Sequence, residues 1–285
     1  MKIALVGKGG TWKSSMSWLL THHLLALGKK VLAIDSDHNM DFTDLLWHQF
    51  SSNTPTFKTQ HGEIYRHLEE TEWTYVSEVI QKHLGHYKFH LDPLDSFSEN
   101  VLIPLQENLL LWVVGLWASD VMWWWYCAHG LSNPLKIYIT MLQEGPYDVV
   151  VDGVAGVDMI NFGLYHACDV LYVVVEPTRN STRVAKQITD MCDLSLVNYG
   201  VIVNKAQENT YMDNLRQEYG DQILMEVPYD EGIFSYQYDQ VSKHIKEAMD
   251  GIFTHAQQFM HTNLVQRMLM LHELREVPKM KKNAS

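Results

Sequence analysis

Ile3-Ala4-Leu5-Val6-Gly7-Lys8-Gly9-Gly10-Thr11-Trp12-Lys13-Ser14-Ser15 decides how the chain is read. An apolar run enters a glycine-rich turn, and an amphipathic helical pattern follows over about 14–27. The turn matches G-x-x-x-x-G-K-[ST] at every fixed position but one, because Trp12 stands where the last glycine belongs. Such a loop, backed by a helix N-terminus, turns its backbone N–H groups toward a polyphosphate. Gly7, Gly9, Gly10, Thr11, Trp12, Lys13, Ser14 and Ser15 are therefore the candidate phosphate-binding residues. In this pattern Lys13 reaches the β- and γ-phosphates and the Ser14 hydroxyl binds Mg²⁺. A glycine at position 12 leaves room for the backbone to wrap the β-phosphate. A tryptophan there is expected to fit with a negative φ and its ring turned away from the phosphates.

Outward from the loop, apolar runs near 2–6, 31–35, 109–114, 148–152, 170–176, 200–204 and 223–227 alternate with helical patterns. The helical patterns cover 14–27, 131–143, 180–194 and 208–219. The runs are apolar throughout rather than at every second residue. That predicts the α/β class, a mostly parallel central β-sheet flanked by helices on both faces. Functional residues then collect at the carboxyl ends of the strands. Residues 50–106 read as a helical and aromatic insertion and 231–276 as two closing helices, so 1–285 reads as a single P-loop NTPase domain.

The 285 residues are 46% hydrophobic, enough for a substantial core. A net charge of −12 argues against a broad nucleic-acid-binding face. Cys127, Cys168 and Cys192 are too few for a disulfide framework and fit a reduced, cytoplasmic setting. The start does not resemble a signal peptide, and no apolar run approaches the roughly 18 residues of a membrane span.

Asp35-Ser36-Asp37 follows the second run, one strand along from the phosphate loop. Carboxylates there can orient an attacking water or hold a Mg²⁺ water, although an Asp at a strand end also caps helices. Asp152, after Val149-Val150-Val151, has the form of a Walker B carboxylate, and Gly156 lets a backbone N–H approach a γ-phosphate. Asn204, ahead of Lys205, offers an amide edge that suits adenine better than an aspartate would.

The loop's early second lysine, Lys8, makes it resemble the deviant Walker A motif of the MinD/ParA (SIMIBI) class of dimerising ATPases. The resemblance runs from residue 2 to about 230, in the family's order of motifs. It implies ATP and Mg²⁺ as ligands and a homodimer in the ATP state. Lys8 would cross the dimer interface to the partner's nucleotide while Lys13 serves its own. Asp37 would orient water, and Ser14, Asp37 and Asp152 would hold Mg²⁺ directly or through water. Asn204 and Lys205, with Pro228-Tyr229-Asp230, would flank the adenine.

Within the class, residues 155–163 and 173–181 look like those of the nickel-insertion accessory ATPases of carbon monoxide dehydrogenase. Those proteins bind metal across the dimer through a Cys-x-Cys, where this chain has Cys127-Ala128-His129. One thiolate and one imidazole per chain would make a Cys₂His₂ set for Zn²⁺ or Ni²⁺ across a two-fold axis. A buried cysteine beside a loop histidine is the alternative.

Trp123-Trp124-Trp125-Tyr126 reads as an interface core, a client groove or plain burial. His83, His86 and His90 lack Cys or carboxylate partners at ligand spacing and read as solvated. The amphipathic run 259–271 carries only Arg267 on its polar face, so it reads as a closing helix packed on the sheet rather than a membrane anchor.

These residues together point to an ATP-dependent dimeric switch for maturation or delivery of a metal centre or another client protein. The alternative is a positioning or partitioning ATPase that reads DNA or membrane, for which Lys29, Lys30, Arg179, Arg183 and Lys186 speak. A third is a nucleotide-dependent interaction protein that no longer hydrolyses, for which Trp12 speaks.

Overall fold

The computed structural model describes residues 1–37, 39–46, 53–71, 74–115, 128–143, 145–156, 164–259 and 264–273. All seven apolar runs are strands: β1 (Lys2–Gly7), β2 (Lys30–Asp35), β5 (Leu109–Val113), β7 (Tyr147–Asp152), β8 (Val170–Val175), β9 (Tyr199–Asn204) and β10 (Ile223–Val227). They form a parallel sheet with the order β10-β9-β8-β1-β7-β2-β5, and β4 (Ile103–Gln106) adds an antiparallel edge. A two-stranded ladder of β3 (Phe89–His90) and β6 (Leu142–Gln143) lies apart from it.

The sheet is wet on neither face, which is why its strands are apolar at every position. Along β1, Ala4 and Val6 enter one core while Ile3 and Leu5 enter the other. Each buried side chain of this size contributes roughly 1.5–3 kcal/mol. On the second face lie α1 (Lys13–Ala26), α2 (Asp41–Leu45), the short α9 (Glu231–Phe234) and α10 (Lys243–Gln257), through Trp18, Phe42, Ile233 and Ile252. The first face carries α3 (Phe57–His67), α4 (Val76–Lys82), α5 (Ser96–Val101), α6 (Ala128–Met141), α7 (Arg179–Leu194), α8 (Thr210–Tyr219) and α11 (Leu264–Glu273). Ile64, Ile80, Tyr138, Ile188 and Met268 belong to that core.

Four expectations are corrected here. β7 stands between β1 and β2, so Asp37 follows a strand two places from the phosphate loop. The 50–106 region is not wholly helical, since β4 pairs with β5; Pro104 is tolerated there because an edge strand can do without one donor. Among the described residues the last helix makes its main contacts with helical segments of the first face rather than with a strand. It lies on α4 and α6 with Met268 fully buried. His83 is buried with its Nε2 3.7 Å from Glu70, while His86 is exposed. Among the described residues no helix is long and apolar enough to cross a membrane.

Candidate functional site

Gly7 ends β1 where a Cβ would meet the Val174 carbonyl oxygen at 2.3 Å, so only glycine lets the chain leave the sheet here. The Thr11 N–H and hydroxyl both donate to the Lys8 carbonyl and close the turn, at 3.2 and 2.8 Å. Among the described residues the N–H groups of Gly9, Gly10, Lys13, Ser14 and Ser15 find no backbone acceptor. Orphaned donors at a helix start are a site for an anion. Lys13 is buried and makes no hydrogen bond among the described residues, which leaves its ammonium for a ligand.

Trp12 contradicts the expected negative φ. It adopts φ 65°, ψ 38°, the left-handed conformation that a glycine would take at this corner. That geometry costs a non-glycine residue roughly 1–2 kcal/mol. Its ring offsets the cost, stacking on Phe234 with centroids 6.1 Å apart and lying 4.6 Å from the Lys205 ammonium. Such contacts return about 0.5–1.5 and 0.5–1 kcal/mol respectively. The ring is turned toward this chain's own residues.

Asp152 ends β7 directly beside β1, with Leu5 and Asp35 as its register partners on the two flanking strands. Ser14 Oγ donates to one of its carboxylate oxygens at 2.7 Å, and Ser17 Oγ to the other at 2.8 Å. Asp35 is fully buried and accepts from Thr43 N and Thr43 Oγ1, both at 2.8 Å. Burial pushes both carboxyl groups above the ordinary range, and the Asp152 charge pushes Asp35 further; Ser14 and Lys13 partly counter the rise at Asp152. Asp37 is half-buried and caps its own turn by accepting from Asn39 N at 3.1 Å. The Gly156 N–H donates to the Gly7 carbonyl at 2.8 Å, so it ties the two loops together here rather than facing a ligand.

A cavity of about 300 Å³ adjoins Gly10, Lys13, Ser14, Ser15 and Tyr236. Asp41 and Asp44 of α2 also line it, two carboxylates that the sequence reading did not single out. A second cavity of about 250 Å³ is bounded by Asn204, Lys205, Pro228, Tyr229, Asp230 and Phe234. Asn204 Nδ2 donates to the Thr11 carbonyl at 3.1 Å, which fixes one end of its amide. Lys205 pairs with Glu176 at 2.6 Å. Asp230 is a helix cap, accepting from Ile233 N and Ser242 N at 3.1 Å each. Lys8 is half-buried and lines neither cavity, with its ammonium on the Gly9 carbonyl at 3.2 Å.

The structure thus gathers the loop residues with Asp152, Asn204, Lys205 and residues 228–230, and places Asp37 just past the end of β2, where its charge reaches Asp152. Phe234, Tyr236 and Glu176 also belong to the site; nothing in their local sequence marks them. Cys127 lies outside the described residues, and of His129 only its place in the first turn of α6 is described. Among the described residues no group of three or more His, Cys, Asp or Glu could hold a metal ion.

A parallel sheet whose inner strand enters a glycine-rich turn and a helix, with a buried carboxylate on the next strand, defines a P-loop nucleotide-binding protein. Residues 3–241 match the model of the CobQ/CobB/MinD/ParA nucleotide binding domain, and the chain belongs to that family. It is 26% identical over 230 residues to an uncharacterised ATP-binding protein of Methanocaldococcus jannaschii, covering 80% of this chain and 88% of the relative. It is 29% identical over 213 residues to the carbon monoxide dehydrogenase accessory protein CooC of Rhodospirillum rubrum, covering 72% and 74%. Among solved structures, the ATP complex of a variant of Cyanothece McdA superposes with a TM-score of 0.62 at 14% identity, covering 92% of this chain and 98% of the other. The septum site-determining protein MinD of Pyrococcus horikoshii, complexed with Mg-ADP, gives 0.55 at 16%, covering 97% and 95%. These two likenesses show the fold.

Proposed function

We propose that the chain is an ATP-binding and ATP-hydrolysing dimeric switch that serves the maturation or delivery of a metal centre or other client protein. One observation carries the reading: among the described residues the N–H groups of Gly9, Gly10, Lys13, Ser14 and Ser15 have no backbone acceptor, beside a buried Lys13 ammonium that makes no hydrogen bond and the Ser14–Asp152 hydrogen bond. That set fits a triphosphate. Lys13 and the N–H groups bind the phosphate oxygens and orient them. The Ser14 hydroxyl and the Asp152 and Asp37 carboxylates would hold Mg²⁺, which when bound neutralises phosphate charge. Asp152 keeps Ser14 in place until then. Asp37 orients the attacking water, and Lys8, free of the phosphate cavity of its own chain, reaches the partner's nucleotide across a two-fold interface.

The likeness to a protein named as an accessory to carbon monoxide dehydrogenase supports the maturation role. The charge distribution supports it over DNA binding, since Lys30 pairs with Asp92, and Lys186 with Asp190 and Glu218. Light scattering of the native chain with and without Mg²⁺ and a non-hydrolysable ATP analogue tests the switch. The reading expects the mass to double with the analogue and Lys8→Ala to stay monomeric. An unchanged mass in the native chain at saturating analogue overturns the dimeric switch.

A further inference from the structure

Among the described residues Trp12 alone lines both cavities. Its backbone belongs to the phosphate loop, and its indole faces Phe234 and Lys205 in the second cavity. That second cavity combines aromatic walls with one buried amide, Asn204. Phosphate needs none of this. A heteroaromatic base needs all of it: flat apolar faces for stacking and a polar edge for hydrogen bonds.

We propose that Trp12 and Phe234 form an aromatic clamp for a purine base, so that Trp12 is a base-binding residue of this chain. The inference rests on the phosphate loop being a nucleoside triphosphate site. The two rings stand 6.1 Å apart with planes inclined by 30°. A base between them needs two contacts of about 3.5 Å, and since 6.1 Å separates the ring centroids, the rings must part by at least about 1 Å. Phe234 is the partner that yields. It is 53% exposed on a four-residue helix, whereas the Trp12 backbone is fixed between β1 and α1. Lys205, held by Glu176, places its charge on the indole and leaves the clamp's rim polar. The substitution of glycine by tryptophan thus joins the phosphate cradle to the base site through one residue.

Calorimetric titration of Mg-ATP and of inorganic tripolyphosphate into the native chain, Trp12→Gly, Trp12→Phe and Phe234→Ala tests the clamp. Glycine suits the left-handed backbone at position 12, so Trp12→Gly relieves strain instead of adding it. Stacking loss should weaken ATP about tenfold in Trp12→Gly and in Phe234→Ala, with tripolyphosphate within about twofold of native. Trp12→Phe should keep ATP within about threefold. Unchanged or tighter ATP binding in Trp12→Gly overturns the clamp and makes the ring an obstruction. Equal losses of both ligands in Trp12→Gly, with Phe234→Ala unaffected, overturn it too, since Trp12 then only shapes the loop. If the native chain binds neither ligand, the nucleotide site itself fails.

Discussion

Within residues 7–15 the side chains of Thr11, Lys13 and Ser15 are buried between β1 and α1, whereas those of Tyr229 and Phe234 are aromatic and more than half exposed. The first region is set by backbone geometry. Its glycine, lysine and serine must stand at fixed spacing, because the sheet, the turn and the helix start leave no freedom. The second is assembled by loops from residues 204–207 and 227–234, and its chemistry lies in side-chain faces. Among the described residues only Trp12 belongs to both. On the proposed reading, phosphate recognition is built into the fold and base recognition is hung on it.

Lys13→Ala is the largest way to break this contrast. Losing the buried cation should cost about 3 kcal/mol of binding, about a hundredfold. Unlike the clamp variants, it should weaken Mg-ATP and tripolyphosphate alike. A loss below threefold in titration would remove Lys13 from the cradle. The clamp variants rank next, with their tenfold effect confined to the base-bearing ligand.

The Asp35–Asp152 pair sharpens the phosphate side. Burial raises both carboxyls, so the folded, nucleotide-free chain holds a proton that unfolded carboxyls, with pKa values near about 4, release. The resulting destabilisation is full above the raised range and is relieved as pH falls through it. Asp35→Asn removes one charge. Its stability relative to native should therefore fall by up to about 1.4 kcal/mol per pH unit on acidification through that range. Urea unfolding of both chains from about pH 9 to about pH 5 checks this, and a constant difference contradicts it.

The smallest effect concerns the joint between the halves. Ser15 Oγ and the Tyr236 hydroxyl lie 3.1 Å apart, and the Tyr236 ring meets Trp18 edge-on at 5.4 Å. Tyr236→Phe keeps the ring and loses the bond, for about 1 kcal/mol, or a melting temperature lower by roughly 2 °C. ATP affinity should move less than threefold. A tenfold drop would make Tyr236 part of ligand binding.

The sheet was legible because a strand buried on both faces is apolar at every position, as Val149, Val150 and Val151 are. β4 was not, since its edge position leaves Pro104 and Gln106 exposed and erases that pattern. The phosphate loop was legible from spacing, but the conformation of Trp12 was not. A residue type does not reveal a left-handed backbone, nor a stacking partner such as Phe234 more than two hundred positions away. Asp152 was marked by its strand; the order that sets β7 between β1 and β2 appears only once the sheet is assembled.

Calorimetric titration of Mg-ATP and Mg-GTP into the native chain tests the central claim most directly. The account predicts saturable heat with ATP and weaker binding of GTP, because the Asn204 amide suits adenine. No heat with either nucleotide would contradict it.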